Sequence, residues 1–459
     1  MIRLTWVQPE DLVAHELVAS AQEGRSVAPV AERWKAAGGS LDAAVSGATP
    51  RRASAELRTI ARTLLEELDT LAVPSELAER EPNDLETIRA GWAREMSVGA
   101  VAGGKLDALA GRIHGAWLGR SAGCLLGKPV EKISREGIRA ILESTGRWPL
   151  SYYFTERGLA PEIAERYPWN RRSGPTSLEE NIDGMPEDDD LNFPLIALSL
   201  LEESGQDFTT DDVAKAWLAN LPGGRVFTAE RIVYRNLLLG HEPEVVATVQ
   251  NPFREWIGAQ IRTDVYGWTN PGNPFRAAEL AWRDARLSHI RTGIYGAMFV
   301  AAACAAAVVA DSVAEVIEAG LSVVPQDSRY AAGIRRAIEI ARSSKTAEDG
   351  IDAVYAEFGE LHWVHAMNNS ALTVFALLRS EGDFENAITT AVSGGWDTDS
   401  NGATVGSICG ALAGADALPA RWIDPLRNRL ASTLPGFSGI GFDELAARTL
   451  RVARNAGSA

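Results

Sequence analysis

The stretch Gly111-Arg-Ile-His-Gly115-Ala-Trp-Leu-Gly119-Arg-Ser-Ala-Gly123-Cys-Leu-Leu-Gly127 places a glycine at every fourth position. A second stretch repeats the pattern at Gly402, Gly406, Gly410 and Gly414. Residues four apart share one face of an α-helix, and each glycine inside a helix costs roughly 0.5–1 kcal/mol relative to alanine. Such ladders persist where another backbone or a ligand approaches too closely for a side chain. We therefore expect two central, tightly packed helices, with packing on each other as one arrangement.

The sequence around these ladders also has a helical pattern. Apolar residues recur at helical spacing over 11–23, 27–37, 53–71 and 84–96, and again over most of 106–447. The stretch 98–104 is rich in glycine and resembles a linker. The sequence thus predicts an all-α fold, with an N-terminal helical extension over 1–100 and a larger catalytic domain over 106–447.

Composition excludes several classes of partner. The net charge of −16 over 459 residues disfavours binding to nucleic acid or to an anionic membrane surface. The three cysteines are far apart, which fits a reducing compartment, and the N-terminus lacks the pattern of a signal peptide. We therefore expect a cytoplasmic protein. The uncharged stretch 293–310 is rich in alanine and glycine, so a buried core helix is favoured over a membrane span.

Two short acidic signatures carry the chemistry. The first, Glu187-Asp188-Asp189-Asp190, precedes an apolar helical stretch. A solvated loop is the usual fate of such a charge run. The apolar sequence beside it favours carboxylates gathered around a cation instead. Asn192 is expected to cap the following helix and to place Pro194 in its first turn.

The second signature, Asp397-Thr398-Asp399-Ser400-Asn401, resembles the first half of an EF-hand loop. Position twelve of that loop would be Ile408, where a glutamate is required, so an EF-hand is excluded. Carboxylate and hydroxyl oxygens suit Mg²⁺, Mn²⁺ or Ca²⁺ rather than a soft metal. If the two signatures meet, they would form a dinuclear site able to hold substrate oxygens and activate a water.

Three motifs together resemble the ADP-ribosylglycohydrolase family. They are the stretch 119–131, which reads GRSAGCLLGKPVE, then Glu187-Asp188-Asp189-Asp190, then Gly394-Gly395-Trp396-Asp397-Thr398-Asp399-Ser400. The resemblance covers about residues 106–445. It implies an all-α, orthogonally packed domain with two Mg²⁺ ions, or Mn²⁺ as an alternative. It further implies hydrolysis at the anomeric carbon of a ribosyl group, which releases ADP-ribose from a modified protein or small molecule.

The resemblance assigns the metal ligands to Glu187, Asp188, Asp189, Asp397, Asp399 and Ser400. Glu187 and Asp190 stand where the family has threonines, and Ser400 replaces a third threonine. The additional negative charge leaves the identity of an anionic substrate open. Glu131 matches a family glutamate that acts on a proton near the scissile bond, although a surface cap before Ser134 is the alternative; Glu131, Asp189 and Asp397 are the expected catalytic residues.

Further residues are candidates for the substrate pocket. Three signals indicate them: polar groups among apolar ones, a helix start with glycine and hydroxyl groups at 292–296 that is suited to a phosphate, and tryptophan rings on which a base can stack. The set is Asp190, Arg262, Asp264, Thr292, Gly293, Tyr295, Gly296, His365, Asn369 and Trp396. Arg262 and Asp264 fit an ion pair equally well. Arg225, after two glycines, is a cation that can face an anion.

Two other functions fit the same residues. One is a hydrolase of a small nucleoside or glycosylated metabolite on the same scaffold, motivated by the extra carboxylates Glu187 and Asp190. The other is a non-catalytic protein that binds ADP-ribose, against which the retention of both acidic signatures argues. The sequence leaves the acceptor, the anomer and the oligomeric state undetermined.

Overall fold

The computed structural model describes residues 3–43, 49–92, 106–170 and 173–456. These residues form α-helices, short 3-10 turns and connecting loops. No β-sheet occurs among them, and only isolated bridges such as Met185 with Leu430 are present. The prediction of an all-α fold is confirmed. The predicted linker over 98–104 lies outside the described residues.

The α-helices, numbered in chain order, have the following bounds. They are α1 Pro9–Gln22, α2 Ala28–Ala36, α3 Ala55–Thr70, α4 Ser75–Arg80, α5 Leu85–Ala90, α6 Leu106–Gly127, α7 Arg135–Ser144, α8 Pro161–Arg166, α9 Gly174–Ser177, α10 Asp189–Ser204, α11 Thr210–Asn220, α12 Thr228–Leu238, α13 Asp264–Trp268, α14 Pro274–Ala285, α15 Thr292–Ala307, α16 Val313–Ser322, α17 Arg329–Ser343, α18 Ala347–Phe358, α19 Ala366–Arg379, α20 Phe384–Ser393, α21 Thr398–Ala413, α22 Ala420–Ile423 and α23 Phe442–Ala456.

Helices α6 and α21 pack on each other through their glycine ladders. A Cβ atom on Gly119 would collide with the carbonyl oxygen of Gly406, and one on Gly406 would collide with that of Gly119. Gly123 and Gly402 have the same reciprocal relation, so the two helices run antiparallel. The close approach predicted from the ladders is confirmed along the middle of both helices. Gly111 is the exception, because a Cβ there would meet nothing within 4 Å.

Helix α15 is the most apolar element of the core. Every residue from Thr292 to Ala307 is buried, as the alanine-rich sequence predicts for a core helix. None of the described helices is both long and apolar enough to cross a membrane.

The N-terminal helices pack against the rest of the chain through buried ion pairs. Arg254, only 3% exposed, pairs with Glu16 (2.8 Å) and Glu23 (2.7 Å) of the N-terminal stretch. Arg291 also reaches Glu23 (2.8 Å), and Trp92 Nε1 donates to the carbonyl of Val323 (2.8 Å). The described N-terminal residues, 3–43 and 49–92, therefore have fixed contacts with the larger helical body, while the division at 100 stays a prediction.

Candidate active site

Both acidic signatures line one cavity of about 820 Å³. It lies where the N-termini of α10 and α21 meet the turn that follows α6. Among the described residues, eight carboxylates line it: Glu131, Glu187, Asp188, Asp189, Asp190, Glu230, Asp397 and Asp399. Three cationic side chains of the same described set face them: Lys128, Lys132 and Arg225. The described part of the cavity wall thus carries an excess of negative charge.

The first signature forms the N-terminus of α10. Asp188 is the N-cap, and its Oδ1 accepts a hydrogen bond from the backbone N–H of Asp190 (3.0 Å). Its Oδ2 binds the ammonium group of Lys128, which also donates to the carbonyl of Glu187 (3.1 Å). The helix therefore begins at Asp189, before the predicted cap at Asn192. The prediction was wrong because Asp188 is itself a strong N-cap residue.

Pro194 consequently lies inside α10 rather than in its first turn. A proline has no N–H, so the carbonyl of Asp190, four residues earlier, has no helical donor. Arg120 of α6 fills that position, because its Nε (2.9 Å) and Nη2 (2.7 Å) donate to this carbonyl. Arg120 Nη2 also contacts Asp190 Oδ1 (3.3 Å). The proline thus leaves a carbonyl acceptor without its helical donor, and the buried Arg120 binds this carbonyl and fixes the first signature.

The second signature begins α21 and is bound to the first. Ser400 Oγ donates to Asp190 Oδ2 (3.2 Å), which joins two segments 210 positions apart. Asp397 precedes the helix, and its backbone N–H donates to Asn369 Oδ1 (3.3 Å). Thr398 Oγ1 donates to the carbonyl of Gly127 (2.8 Å) at the end of α6. The glycine-ladder packing therefore brings the two signatures together.

Glu131 faces the second signature across the cavity. It follows the 3-10 turn Lys128–Val130 and accepts a hydrogen bond from Asn170. Its other oxygen pairs with Lys132 (3.2 Å). One carboxylate oxygen each from Glu131, Asp397 and Asp399 lies within 4.8 Å of the others. Three carboxylates at this separation suit a shared cation.

The pKa values of the carboxylates in the cavity also indicate a site suited to a cation. Burial, followed by repulsion from Asp188 and Asp399, raises the pKa of both Asp189 and Asp190 well above the usual value. Burial and the neighbouring Asp399 raise the pKa of Asp397 in the same way. The pKa of Asp399 is raised to about 7 by burial and by Glu131. Full ionisation of these carboxylates would thus place more negative charge in the site than its described cations compensate.

These donors fit a divalent cation that prefers oxygen ligands. Glu131, Asp397 and Asp399 supply hard carboxylates close together. A second group, Cys124 with Asp188 and Asp190, is a weaker candidate. Burial raises the pKa of the Cys124 thiol well above normal, and Asp188 and Asp190 already pair with Lys128 and Arg120. The carboxylates around the second signature are therefore the better cation site.

Several predicted pocket residues lie behind the cavity wall. Arg262 is fully buried and binds Glu230 (2.6 Å) and Asp284, whereas Asp264 pairs with Arg120 (3.0 Å). Neither is among the residues that line the cavity. Both residues therefore form ion pairs, as the alternative prediction stated, but their partners are Glu230, Asp284 and Arg120. Glu230, which no sequence motif indicated, links Arg262 to the cavity.

The start of α15 is also away from the cavity. Thr292, Gly293, Tyr295 and Gly296 are buried, and Tyr295 Oη donates to the carbonyl of Pro82 (2.6 Å). Asn83 accepts a hydrogen bond from the backbone N–H of Arg291 (2.7 Å). The N-terminal extension therefore covers the helix end at which a phosphate was expected.

His365, Asn369 and Trp396 support the second signature from behind. His365 caps α19 through Nδ1, which accepts from the N–H of Met367 (3.1 Å). Asn369 Oδ1 accepts from Asn401 Nδ2 (2.7 Å) as well as from Asp397. Trp396, in a left-handed conformation (φ 60°), stacks on Tyr355 with 4.2 Å between ring centroids. These contacts position the acidic residues, and none of the three side chains lines the cavity.

Other lining residues had weak sequence signals. Lys128 stands inside the quoted motif, but nothing in its spacing indicated a contact with Asp188. Arg225 was singled out as a cation facing an anion, and it pairs with Glu187 (2.7 Å). Thr5 and Trp6 line the cavity from the N-terminal extension, where no motif pointed to a site.

An all-helical body with an oxygen-rich acidic cavity between two helix N-termini defines a class of protein suited to cation-assisted chemistry on polar substrates. The sequence model of the ADP-ribosylglycohydrolase family matches residues 105–458. Because this match spans well over half of the chain, the protein belongs to the ADP-ribosylglycohydrolase family. Its class of activity is therefore that of a glycohydrolase.

Two individual proteins are also similar to this chain. An uncharacterized protein of Archaeoglobus fulgidus is 28% identical over 319 residues, covering 68% of this chain and 90% of the relative. A solved structure of an ADP-ribosylglycohydrolase-related protein complex is 22% identical, with a TM-score of 0.46. That alignment covers 76% of this chain and 99% of the other.

Proposed function

We propose that this protein is a divalent-metal-dependent hydrolase. It cleaves the glycosidic bond between ADP-ribose, or a related ribosyl group, and an acceptor. The observation that supports this most directly is the convergence of both acidic signatures and Glu131 on one cavity. Membership of the ADP-ribosylglycohydrolase family supports the same class of reaction.

The metal assignment rests on the donor chemistry of the cavity. Asp397, Asp399 and Glu131 would hold a divalent cation, with Asp189 facing them from the start of α10. Mg²⁺ is the proposed ion, with Mn²⁺ as the alternative, and two ions are what the family resemblance implies. A bound cation supplies positive charge for the ribose hydroxyls and makes a nearby water more acidic. Ser400 and Glu187 complete the proposed oxygen set.

The remaining chemistry belongs to the carboxylates. Hydrolysis adds water to the anomeric carbon, breaks the bond to the acceptor, and transfers one proton to the departing group. Glu131 is held by Asn170 and Lys132 at the cavity wall, where it can accept the proton of water or donate one to the acceptor. The positive charge that develops on the ribosyl ring is stabilised by the surrounding carboxylates.

Hydrolysis assays on the purified protein test this function. We expect release of ADP-ribose from ADP-ribosylated arginine or serine peptides in the presence of Mg²⁺, and loss of release with a chelator. Asp399→Asn should abolish turnover, whereas Asp416→Asn, an exposed acid at the other end of α21, should not. Metal-independent turnover, or full activity of Asp399→Asn, would contradict the proposal.

A small nucleoside or glycosylated metabolite is the second candidate substrate. The ion pairs in the cavity favour this candidate, because Lys128, Lys132 and Arg225 each already pair with a carboxylate. An anionic diphosphate would have to compete with those carboxylates. Turnover of a nucleoside panel, with no ADP-ribose released from any conjugate, would select this candidate over the first.

A further inference from the structure

Part of the cavity wall comes from residues that the family model does not match. Thr5 and Trp6 precede α1 and line the cavity, as do Phe227 and Trp363. The family match begins at residue 105, so neither position belongs to the matched stretch. The family match therefore does not account for the contribution of the N-terminal segment to this site.

The segment is held rigidly in place. Trp6 is 5% exposed and packs edge-on against Phe253 (5.3 Å between ring centroids) and Trp256 (5.7 Å). Arg231 of α12 donates through Nη1 to Thr5 Oγ1 (2.7 Å) and to the carbonyl of Thr5 (3.1 Å). These contacts join the segment to the part of α12 that also lines the cavity. Buried contacts thus fix this part of the cavity wall to the rest of the protein.

The chemistry of this wall differs from that of the acidic wall. Trp6, Phe227 and Trp363 present aromatic side chains, and Ile257 and Val364 add apolar surface. Base rings stack on such side chains because every base has a π-face.

Phosphate recognition has less support among the described lining residues. The three cationic side chains there are each paired with a carboxylate. The N-terminus of α12, which reaches the cavity at Phe227 and Thr228, carries Glu230 in its first turn. A carboxylate at that position repels a phosphate where a helix would otherwise attract one.

We propose that Trp6, with Phe227 and Trp363, forms a subsite for a planar, uncharged heteroaromatic ring of a ribose-bearing substrate. Trp6 is then a specificity-determining residue supplied by the N-terminal segment. The inference rests on the proposed function, because the ribose would lie at the acidic wall. The ring has two chemical sources: the base of a nucleoside, or the adenine of an ADP-ribosyl group.

Calorimetric binding of three probes tests the subsite: adenosine, ADP-ribose and ribose 5-phosphate, each with Mg²⁺ present. We expect Trp6→Ala to weaken at least one ring-bearing probe by about tenfold or more, the loss expected when an aromatic partner of a base is removed. Ribose 5-phosphate should bind both proteins alike. Weakening of adenosine identifies a base attached directly to ribose, whereas weakening of ADP-ribose alone identifies the distant adenine.

Matched variants separate the subsite from general loosening of the fold. Trp6→Phe should retain most of the affinity. Trp92→Ala removes an aromatic residue of the same extension that does not line the cavity, and it should leave all three affinities unchanged. If thermal melting shows that Trp6→Ala does not fold, Trp363→Ala is the deciding variant.

The inference is overturned if the deciding variant leaves the ring-bearing probes unaffected, or weakens ribose 5-phosphate equally. It is also overturned if ribose 5-phosphate binds the wild type and neither ring-bearing probe does. In these binding experiments a different result would contradict the proposed function itself: no binding of any probe together with no hydrolysis of any ribosyl conjugate.

Discussion

Pro194 and Arg120 show how single residues shape the site. The proline removes one helical hydrogen bond in α10, and the arginine donates to the carbonyl that this leaves open. Because Arg120 is fully buried, its charge requires the carboxylates of Asp190 and Asp264. Asp190 is therefore oriented toward Ser400 before any ligand arrives.

Asp399 gives a prediction in two parts: its substitution should raise the stability of the metal-free protein and should remove metal binding. Its pKa of about 7 lies above the ordinary value of 3.8, so the folded protein loses stability as pH rises through that range. Asp399→Asn should stabilise the metal-free protein at pH 8, on the order of 1–4 kcal/mol. It should also abolish the rise in melting temperature on adding Mg²⁺. Denaturation with and without Mg²⁺ measures both effects, and a variant that keeps the Mg²⁺ response would contradict the metal assignment.

Asn369 is predicted to act by positioning Asp397. Asn369→Ala leaves the N–H of Asp397 and the side chain of Asn401 without their shared acceptor, which costs about 1–3 kcal/mol when the groups are buried. Urea denaturation measures the loss. The exposed Asn386→Ala serves as the control and should change stability by less than about 0.5 kcal/mol. Equal effects of the two substitutions would rule out the positioning role.

At the scale of elements, the pair α6 and α21 decides where the chemistry lies. Their backbones approach so closely that the last residues of α6 contact the first residues of α21. Both the turn carrying Glu131 and the N-terminus carrying Asp397 lie at this end. The glycine ladders thus set the separation of the proposed catalytic groups as well as the packing of the core.

Substitutions in the first ladder test this relation. Gly119→Ala places a methyl group against the carbonyl of Gly406 and should destabilise the protein by about 1–3 kcal/mol, the usual cost of overpacking. Gly111→Ala, on the same helix face but with open space around it, should stabilise the protein by roughly 0.5–1 kcal/mol. Chemical denaturation distinguishes the two, and similar values for both would show that helix contact does not select the glycines.

The cap of α19 predicts a dependence of stability on pH. Burial lowers the pKa of His365 to about 4, with the charge of Arg329 acting in the same direction. Since the unfolded chain takes up this proton near pH 6.5, stability should fall as pH decreases from 6.5 toward 4. Protonation of Nδ1 would also remove the acceptor for Met367.

Asparagine keeps the cap but does not titrate, so His365→Asn should flatten part of this decline. Free energies of unfolding measured at several pH values give the comparison. Parallel profiles for the wild type and the variant would assign the acid sensitivity to other groups.

At the scale of the whole molecule, the N-terminal helices and the larger body share a buried ion cluster. Arg254 lies between Glu16 and Glu23, and Glu23 also meets Arg291. Such a cluster contributes little net stability, but loss of one member leaves buried charge uncompensated. It therefore fixes how the N-terminal helices lie on the body, and with them Trp6 at the cavity.

Arg254→Met should accordingly destabilise the protein by about 3–5 kcal/mol, because buried Glu16 loses its cationic partner and Glu23 keeps only its pairs with Arg25 and Arg291. Arg62→Met, at an exposed position of α3, changes the charge equally and should have little effect. Denaturation monitored by circular dichroism provides the measurement. A small effect at Arg254 would show that the extension is not anchored through this cluster.

The sequence by itself determined the all-α class, the tight packing of the two glycine-ladder helices and the acidic residues of the candidate site, because periodicity, glycine spacing and carboxylate density are local signals. That the two helices pack on each other was one of the arrangements it left open. It missed the start of α10, because Asn192 was predicted as the cap and Asp188, four residues earlier, caps the helix instead. It also assigned pocket roles to Arg262, Thr292 and Asn369, since a buried polar group has the same local sequence whether it faces a ligand or a neighbouring side chain.

Only the tertiary structure decided which polar groups share the cavity. Lys128 meets Asp188, Glu230 meets Arg262, and Trp6 reaches the wall from a segment far away along the chain. These contacts depend on how helices cross in space, and no spacing within one segment encodes them. The carboxylates could therefore be predicted from the sequence, whereas the residues that surround them could be identified only from the tertiary structure.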